Sequence, residues 1–580
     1  MRRFGWLMLV AAVCLGLAAC GGTSSTSSAK SGTSTSGTTA TTVANTGKVG
    51  GKVVIDNESG STWTCGFNPF NSSVLGPGLT YALIYEPLEF VNILQSTSPP
   101  KPWLSTGSQW SNGFKTLTFT IRNGVKWGDG TPFSAADVAY TFNAMKSDKA
   151  IDLNAIWTAD GGPLTNVAVK GTDQVVFTFK APSQTFFYWV ADQTPIVPKH
   201  IWSALNQKSL HSYSDTKPVG TGPYLMSSCS GQNIKYLRNS NYWQSTASHP
   251  VPQIAEIDYP AFLSNTPANL ALAQGQAQWG GQYIPNIQSF YIAKDPAHRH
   301  YWFPPVLNVF LVPNLSNPVL SALPVREAMA YAIDRAKVAQ LGEGGEQQPA
   351  NQSGVITPTF QSWFDSSLPL PSYNPAKAEQ ILNSAGYKKG SDGIYHSPSG
   401  QPLSFTIKTI SGYSDWDASL QIITQDLKAV GIAVTVQDEN SAPYTSDVQG
   451  GHYQLAYGGS GSGVAAVPGP SPYYELRGLL FSGSIGSYNF SRYSSPSTDA
   501  LFNEYPGASP SQQLQIIHQV QKVMATDIPY IPTTEGVDWF QYDTTDIGGW
   551  PTASNPYAQP SPYSFPDNAV VMTHLYPTKP

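Results

Sequence analysis

Residues 403–437 limit the possible fold more than any other stretch. LSFTIKTI, residues 403–410, alternates apolar and polar side chains as a half-buried strand does, and IAVTVQ, residues 432–437, repeats the pattern. Between them lies a helical run over roughly 416–429, closed by Gly431. Two strands joined through a helix need a right-handed crossover and therefore sit parallel in one sheet. Such a sheet needs helices to cover it, so this part of the chain is α/β. The preceding run agrees. Asn374 caps a helix with Pro375 in its first position, and that helix continues through Ile381 and Leu382 to Gly386.

A second well-defined unit is LTFTIRNGVKWGDGTPFSAADVAYTFN, residues 117–143. Leu117, Phe119 and Ile121 alternate with polar residues, and Asn123-Gly124 supplies a tight turn. Val125 to Trp127 reads as the return strand of a hairpin. Ser134 then caps a helix, with Asp137 completing a capping box. Further strands are expected at 52–56 and, as a strand–turn–strand passage, within 167–182. An amphipathic helix is expected over 323–341, with Val325, Ala328, Met329, Ala332, Ile333 and Ala336 on one stripe. Its charges Arg326, Asp334 and Arg335 read as surface ion pairs, which are weak.

The start of the chain has a different logic. Arg2 and Arg3 precede an apolar run, Trp6 to Ala19, that is too short to span a bilayer, as in an export signal. Leu17-Ala18-Ala19-Cys20 resembles a bacterial lipobox, which implies lipidation of Cys20; an ordinary signal peptide with a chance cysteine is the alternative. Residues 21–48 are nearly all Ser, Thr, Gly and Ala, the composition of a flexible tether. The remaining ~530 residues exceed what one core serves, so at least two lobes are expected. A net charge of −5 without a basic block excludes nucleic acid as a partner. Of the four cysteines, Cys14 leaves with the signal and Cys20 takes the lipid. Cys65 and Cys229 remain, either as a disulfide suited to an oxidising compartment or as two buried thiols.

Several ordered blocks resemble the family 5 solute-binding proteins of ABC importers, the group of oligopeptide, dipeptide, nickel and cello-oligosaccharide receptors. They are RNGVKWGDGTPFSAADV, Tyr85-Glu86-Pro87-Leu88, PVGTGPYLM with KYLRNSNYW, LPVREAMAYAIDRAKVAQL, NPAKAEQILNSAGYKKGSDGIYHSPSGQPLSF, SRYSSPSTDALFNEY and QQLQIIHQVQKVMATDIPYIP. The resemblance runs from about residue 50 to the end. It implies a two-lobed α/β fold of the large type II periplasmic-binding-protein kind, with a small α+β domain inserted in the first lobe. The expected layout is 49–90, 212–312 and 530–580 for lobe I, 91–211 for the peripheral subdomain and 313–529 for lobe II. Crossings between lobes are expected near 313–324 and 526–534. Gly220, Gly222 and Pro223 form a turn before a strand and read as structural.

The same resemblance implies a lipid-anchored monomeric receptor that binds a solute between lobes and hands it to an ABC permease and its ATPase, with no cofactor. Peptide receptors of this kind carry an aspartate, after the strand corresponding to 453–457, for the peptide's amino terminus. Here the following loop holds no acid before Glu475, whereas GGWPTASNPYAQPSPY, residues 548–563, resembles the cello-oligosaccharide type. The reading therefore leans to a neutral oligosaccharide, with a peptide as the alternative. Trp279, Gln282 and Tyr283, beside Gly280 and Gly281, suit stacking and hydrogen bonding to such a ligand; an aromatic loop buried between lobes is the other reading. Tyr457, Gly459 and Ser460 are the candidates on the second lobe, and Trp63 and Asn68 those at the cleft edge. No Gly-x-Ser-x-Gly elbow, Walker A loop or His-Glu-x-x-His pair occurs. An extracytoplasmic hydrolase with scattered carboxylates is the alternative of another class. His298 and His300 are too few for a metal site and read as a solvated turn.

Overall fold

The parallel pair fixes the second lobe. In the computed structural model, which describes residues 45, 47–56, 62–71, 81–158, 163–459 and 469–579, strand Ser404–Ile410 runs parallel to Ala433–Glu439, with helix Ser414–Ala429 as the crossover. Phe405 and Ile407 point into the core with Ile423 and Leu427 of that helix. Strand Leu455–Gly459 adds parallel on the other side. Pro305–Pro313, Ile531–Val537 and the short Gln348–Pro349 complete a six-stranded sheet in antiparallel sense.

The first lobe is built on a seven-stranded sheet whose strands come from distant parts of the chain. Gly50–Asp56 lies centrally, parallel to Ile254–Pro260 on one side and to Trp279–Gly280 on the other. Asn233–Arg238 and Tyr224–Cys229 extend one edge, and Gln541–Asp543 and Arg299–Tyr301 the other. A four-stranded antiparallel sheet, Ser105–Ser111, Thr116–Ile121, Gln174–Phe179 and Leu164–Lys170, with helix Ala135–Ser147, forms a peripheral layer. Phe119, Phe142 and Phe177 of that layer belong to one continuous core with Val53, Tyr236 and Val570. The second lobe has its own core, around Phe310, Ile407, Leu476 and Val520.

Several expectations need correction. Val125–Trp127 is not a return strand. Thr116–Ile121 pairs with Ser105–Ser111 and Gln174–Phe179 instead, and a single bridge, Lys126 to Pro132, is all that follows the turn. The capping box is present: the Ser134 backbone amide donates to Asp137 Oδ2 at 2.8 Å. The run 323–341 is not one helix. It breaks at Ile333, whose backbone is extended, and Asp334 starts a new turn by accepting from the Lys337 amide.

Arg326 and Arg335 are not surface ion-pair residues. Both are buried, and both bond carbonyls rather than carboxylates. Arg326 donates to the backbone oxygens of Leu320, Ser321, Asp527 and Ile528, tying its helix to the end of helix Pro510–Thr526. Arg335 donates to Pro532 and Ala330 oxygens and to Gln352 Oε1; burial depresses its pKa to about 10.

The crossings also lie elsewhere than expected. Pro305–Pro313 and Ile531–Val537 sit wholly in the second sheet, while Arg299–Tyr301 and Gln541–Asp543 sit in the first. The chain therefore crosses at 302–304 and returns at 538–540. The two segments run side by side: Trp302 N donates to Phe540 O at 3.1 Å and Asp538 N to Pro304 O at 3.0 Å. Cys65 and Cys229 are bonded, with Cα atoms 5.7 Å apart, joining the loop after the first strand to the sheet edge. Gly220 and Gly222 are required by close approach: a Cβ at Gly220 would lie 1.8 Å from the Ile84 carbonyl oxygen, and one at Gly222 2.4 Å from that of Leu83. Cys20, the export signal and nearly all of the tether lie outside the described residues. Among the described residues no helix is long and apolar enough to cross a membrane.

Candidate ligand-binding cleft

The eight candidate residues separate sharply once placed. Trp279 occupies the short strand Trp279–Gly280, fully buried; its indole nitrogen donates to Pro560 O at 2.8 Å and its ring meets Trp550 edge-on. No face is left for a ligand, so the exposed stacking platform expected there is withdrawn. Trp63 is likewise internal to the first lobe, stacked on Tyr259 at 4.6 Å and donating to the Tyr259 carbonyl. Asn68 staples a loop by donating to Leu210 and Tyr213 oxygens at 2.8 Å. Gln282 bonds Asn269, and its own carbonyl accepts from Gln541. Gly459 is a sheet residue opposite Val309. Ser460 lies outside the described residues.

Tyr283 and Tyr457 remain; both are buried, and both lie within electrostatic range of Glu343 and Asp415. Tyr283 leaves the first lobe with its ring edge-on to Trp539 at 5.4 Å, and Trp539 meets Phe303 at 4.9 Å. Its hydroxyl reaches the second lobe at Gly344, where an added Cβ would be 3.0 Å away. Gly344 and Gly345 both have positive φ, +61° and +80°, which a side chain would strain. Tyr457, on the second lobe's central strand, bonds Thr533 Oγ1 at 3.3 Å and meets Trp416 edge-on. Trp416 in turn meets Tyr413, which lies within electrostatic range of Tyr563 from the first lobe. Aromatic groups of the two lobes thus approach one another here.

Acids that motif reading missed lie within electrostatic range of Tyr283 and Tyr457. Glu343 is fully buried, accepting from Ser419 Oγ and Gln347 Nε2 at 2.8 Å each. Asp415 is buried in the first turn of helix Ser414–Ala429. Burial raises the pKa of both, and for Glu343 the neighbouring Asp415 adds to the effect. Glu346 is half-buried, and burial alone lifts it to about 7. Tyr283 is pushed up to about 12, first by burial and then by Asp415, Glu343 and Glu346; Tyr457 is raised by burial and by Glu343. The available signal was Gly342-Glu343-Gly344-Gly345-Glu346, two acids set in a glycine turn.

The lobes meet a second time at the peripheral layer. Tyr474 of the second lobe donates to Thr185 O at 2.9 Å and packs on Tyr188 and Trp189. A cavity of about 140 Å³ lies beside this contact, lined by Phe186, Trp189, Tyr473, Arg477 and Tyr488 among others. His298 bonds Asp295 at 2.9 Å and His300 tilts on Tyr542. Among the described residues no group of three or more His, Cys, Asp or Glu is placed to hold a metal.

The family model described as bacterial extracellular solute-binding proteins, family 5 Middle, matches residues 99–478. The nickel-binding periplasmic protein of Escherichia coli (strain K12) is 24% identical over 404 residues, covering 68% of this chain and 74% of that protein. The periplasmic oligopeptide-binding protein of Thermotoga maritima, crystallised with mannohexaose, superposes with a TM-score of 0.79 at 24% identity, over 91% of this chain and 98% of that one. The oligopeptide-binding protein AppA of Bacillus subtilis, in complex with a nonapeptide, gives 0.74 at 21% identity, over 92% and 100%.

Proposed function

The chain belongs to the bacterial extracellular solute-binding proteins of family 5, and from that premise we propose that it is the lipid-anchored, monomeric receptor of an ABC importer. It captures an oligosaccharide or oligopeptide between its lobes and delivers it unaltered to a permease. Aromatic groups that approach one another from separate lobes support this reading. A ring or side chain lying between Tyr283 and Trp539 on one lobe and Tyr413 and Trp416 on the other touches both. It favours the closed state by the difference in its affinity for the two states. The paired crossings at 302–304 and 538–540 serve as the hinge, and Tyr457 supports the second wall from behind.

Stacking surfaces alone lean to a neutral oligosaccharide, as the late aromatic segment does. The second reading, a peptide, is favoured by the acids at the glycine turn. A thermal-shift panel of neutral glycans and peptides separates the two. A solute at a hundred times its dissociation constant adds about 2.7 kcal/mol of stability, and mass measurement of the recovered ligand shows whether it was cut. A chain that cleaves its ligand, or melts at one temperature across the whole panel, is not this receptor.

A further inference from the structure

Where the second lobe meets the peripheral layer, a cavity of about 140 Å³ stays open, and its described lining shares no residue with the groups around Tyr283 and Tyr413. We propose that this cavity binds a small molecule built on one aromatic ring, and that its occupant holds the peripheral layer against the second lobe. The proposal goes beyond the receptor reading and does not depend on it.

Rings make most of the wall. Phe186 and Trp189 come from the peripheral layer, and Tyr473, Phe481 and Tyr488 from the second lobe. Ring faces and edges pack favourably on another ring, and the volume is close to that of the ~150 Å³ apolar cavities that take up benzene. Arg477 carries the only charge among the described lining residues and lies over the Phe481 ring at 4.3 Å. Leu153 and Ile485, each next in sequence to a lining residue, are 41% and 38% exposed, so apolar surface continues beside the cavity on both sides.

A void of this size is rare inside a protein, where neighbouring side chains normally fill it. Here the walls are braced from behind. Tyr473 stacks on Tyr505 with centroids 4.2 Å apart. The turn at Asn154 and Ala155 is pinned by Asp152, whose carboxylate accepts from the amides of Ile156, Trp157 and Thr158. That turn holds Ala155 at φ +52°, a left-handed conformation that strains a residue with a Cβ. Across the contact, the Tyr474 hydroxyl donates to Thr185 O at 2.9 Å, and Gln184 Nε2 donates to Ala508 O at 3.4 Å. Neither side can settle into the space without giving up these bonds, so the space is kept. A ring placed there touches both sides at once and favours the arrangement in which they meet.

Thermal shift and amide hydrogen exchange on the full chain test the proposal, with phenol, benzyl alcohol and benzoate as probes and cyclohexanol and glucose as controls. The melting temperature should rise with the concentration of at least one aromatic probe, with a dissociation constant of about 1 mM or tighter. Exchange should slow at residues 185–189 and 481–488 and stay unchanged around 283 and 413. Ser487→Trp, at an exposed lining residue, puts a ring into the cavity and should fold normally. It should weaken the aromatic probe about tenfold or more; if that variant does not fold, the exchange map decides. A flat melt with all three aromatics at about 10 mM overturns the proposal, as does an equal response to cyclohexanol or an unchanged Ser487→Trp. Protection centred on 283 and 413 overturns it too, because the ring then sits among the solute-facing groups. A chain that binds no glycan or peptide, yet keeps ring-dependent protection at 185–189 and 481–488, refutes the receptor reading and leaves this site standing.

Discussion

Removing the Cys65–Cys229 bond tests how the first lobe is held. The bond closes a loop of 164 residues in sequence. In the chain-entropy description such a closure removes about 17 cal/mol/K from the unfolded ensemble, or ~5 kcal/mol at room temperature. That figure applies only if the native loop survives without the bond, and the surrounding contacts indicate that it does. Trp63 N donates to Gly231 O at 2.9 Å, the Trp63 indole donates to Tyr259 O, and the ring stays stacked on Tyr259.

The Cys65→Ser, Cys229→Ser double variant should therefore keep its native spectrum and ligand affinity while losing several kcal/mol in urea unfolding. Its m-value should rise, because the unbridged unfolded chain exposes more surface. If the two cores unfold in separate transitions, only the transition of the first lobe should move, since the second core contains neither cysteine. A loss under ~1 kcal/mol, or an equal shift in both transitions, would refute the reasoning by showing that the unfolded chain already holds these segments together.

Three other perturbations follow from the structure. Arg326→Ala strips four backbone carbonyls of a charged donor; at about 1.5–3 kcal/mol per such bond, and with strong non-additivity, a loss of ~3–5 kcal/mol in chemical denaturation is expected. A loss under ~1 kcal/mol would mean water replaces the clamp. Asp192 and Asp538 have folded-state pKa values raised to about 8 and about 7 by burial, and Asp567 is raised by burial and by Asp192. Their contribution is full below the unfolded value near pH 4 and is lost as pH climbs through the folded values, so the melting temperature should fall from about pH 6 to about pH 8. Asp192→Asn should flatten that slope in a fluorimetric melt series, and a flat wild-type profile would contradict the assignment. Gly220→Ala puts a Cβ 1.8 Å from the Ile84 oxygen; little soluble protein is expected, and a normal yield with an unchanged melt would show that the turn can move.

What could be read from the sequence was local. The Ser134–Asp137 box, the Asn374 cap, the parallel pair around helix Ser414–Ala429 and the turn glycines depend on residues a few positions apart. Apart from the helix break at Ile333, the misreadings involve partners far along the chain. Trp279 looks like a ligand platform until Pro560, 281 residues on, closes over it. Arg335 looks like a surface charge until Pro532 and Gln352 surround it. Pro305–Pro313 reads equally well as the last strand of either lobe, because alternation reports that a strand is buried and not which sheet receives it. Glu343 and Glu346 went unread for the same reason: a glycine turn with two acids is ordinary loop chemistry until another lobe stands opposite.

The position of Trp539 links the cleft to the hinge. It lies inside the returning crossover at 538–540, yet its ring is part of the wall, between Tyr283 and Phe303. On its second-lobe side the same segment continues from strand Ile531–Val537, whose Pro532 carbonyl is fixed by buried Arg335. On its first-lobe side it bonds the other crossover through Asp538 and Phe540. Both flanks are thus tied by hydrogen bonds, and in the proposed receptor a change of angle between the lobes is taken up in the few residues that carry this ring. A solute pressing on Tyr283 and Trp539 acts on the bending segment directly, so in the proposed receptor the grip on the solute and the degree of closure are set by the same side chains.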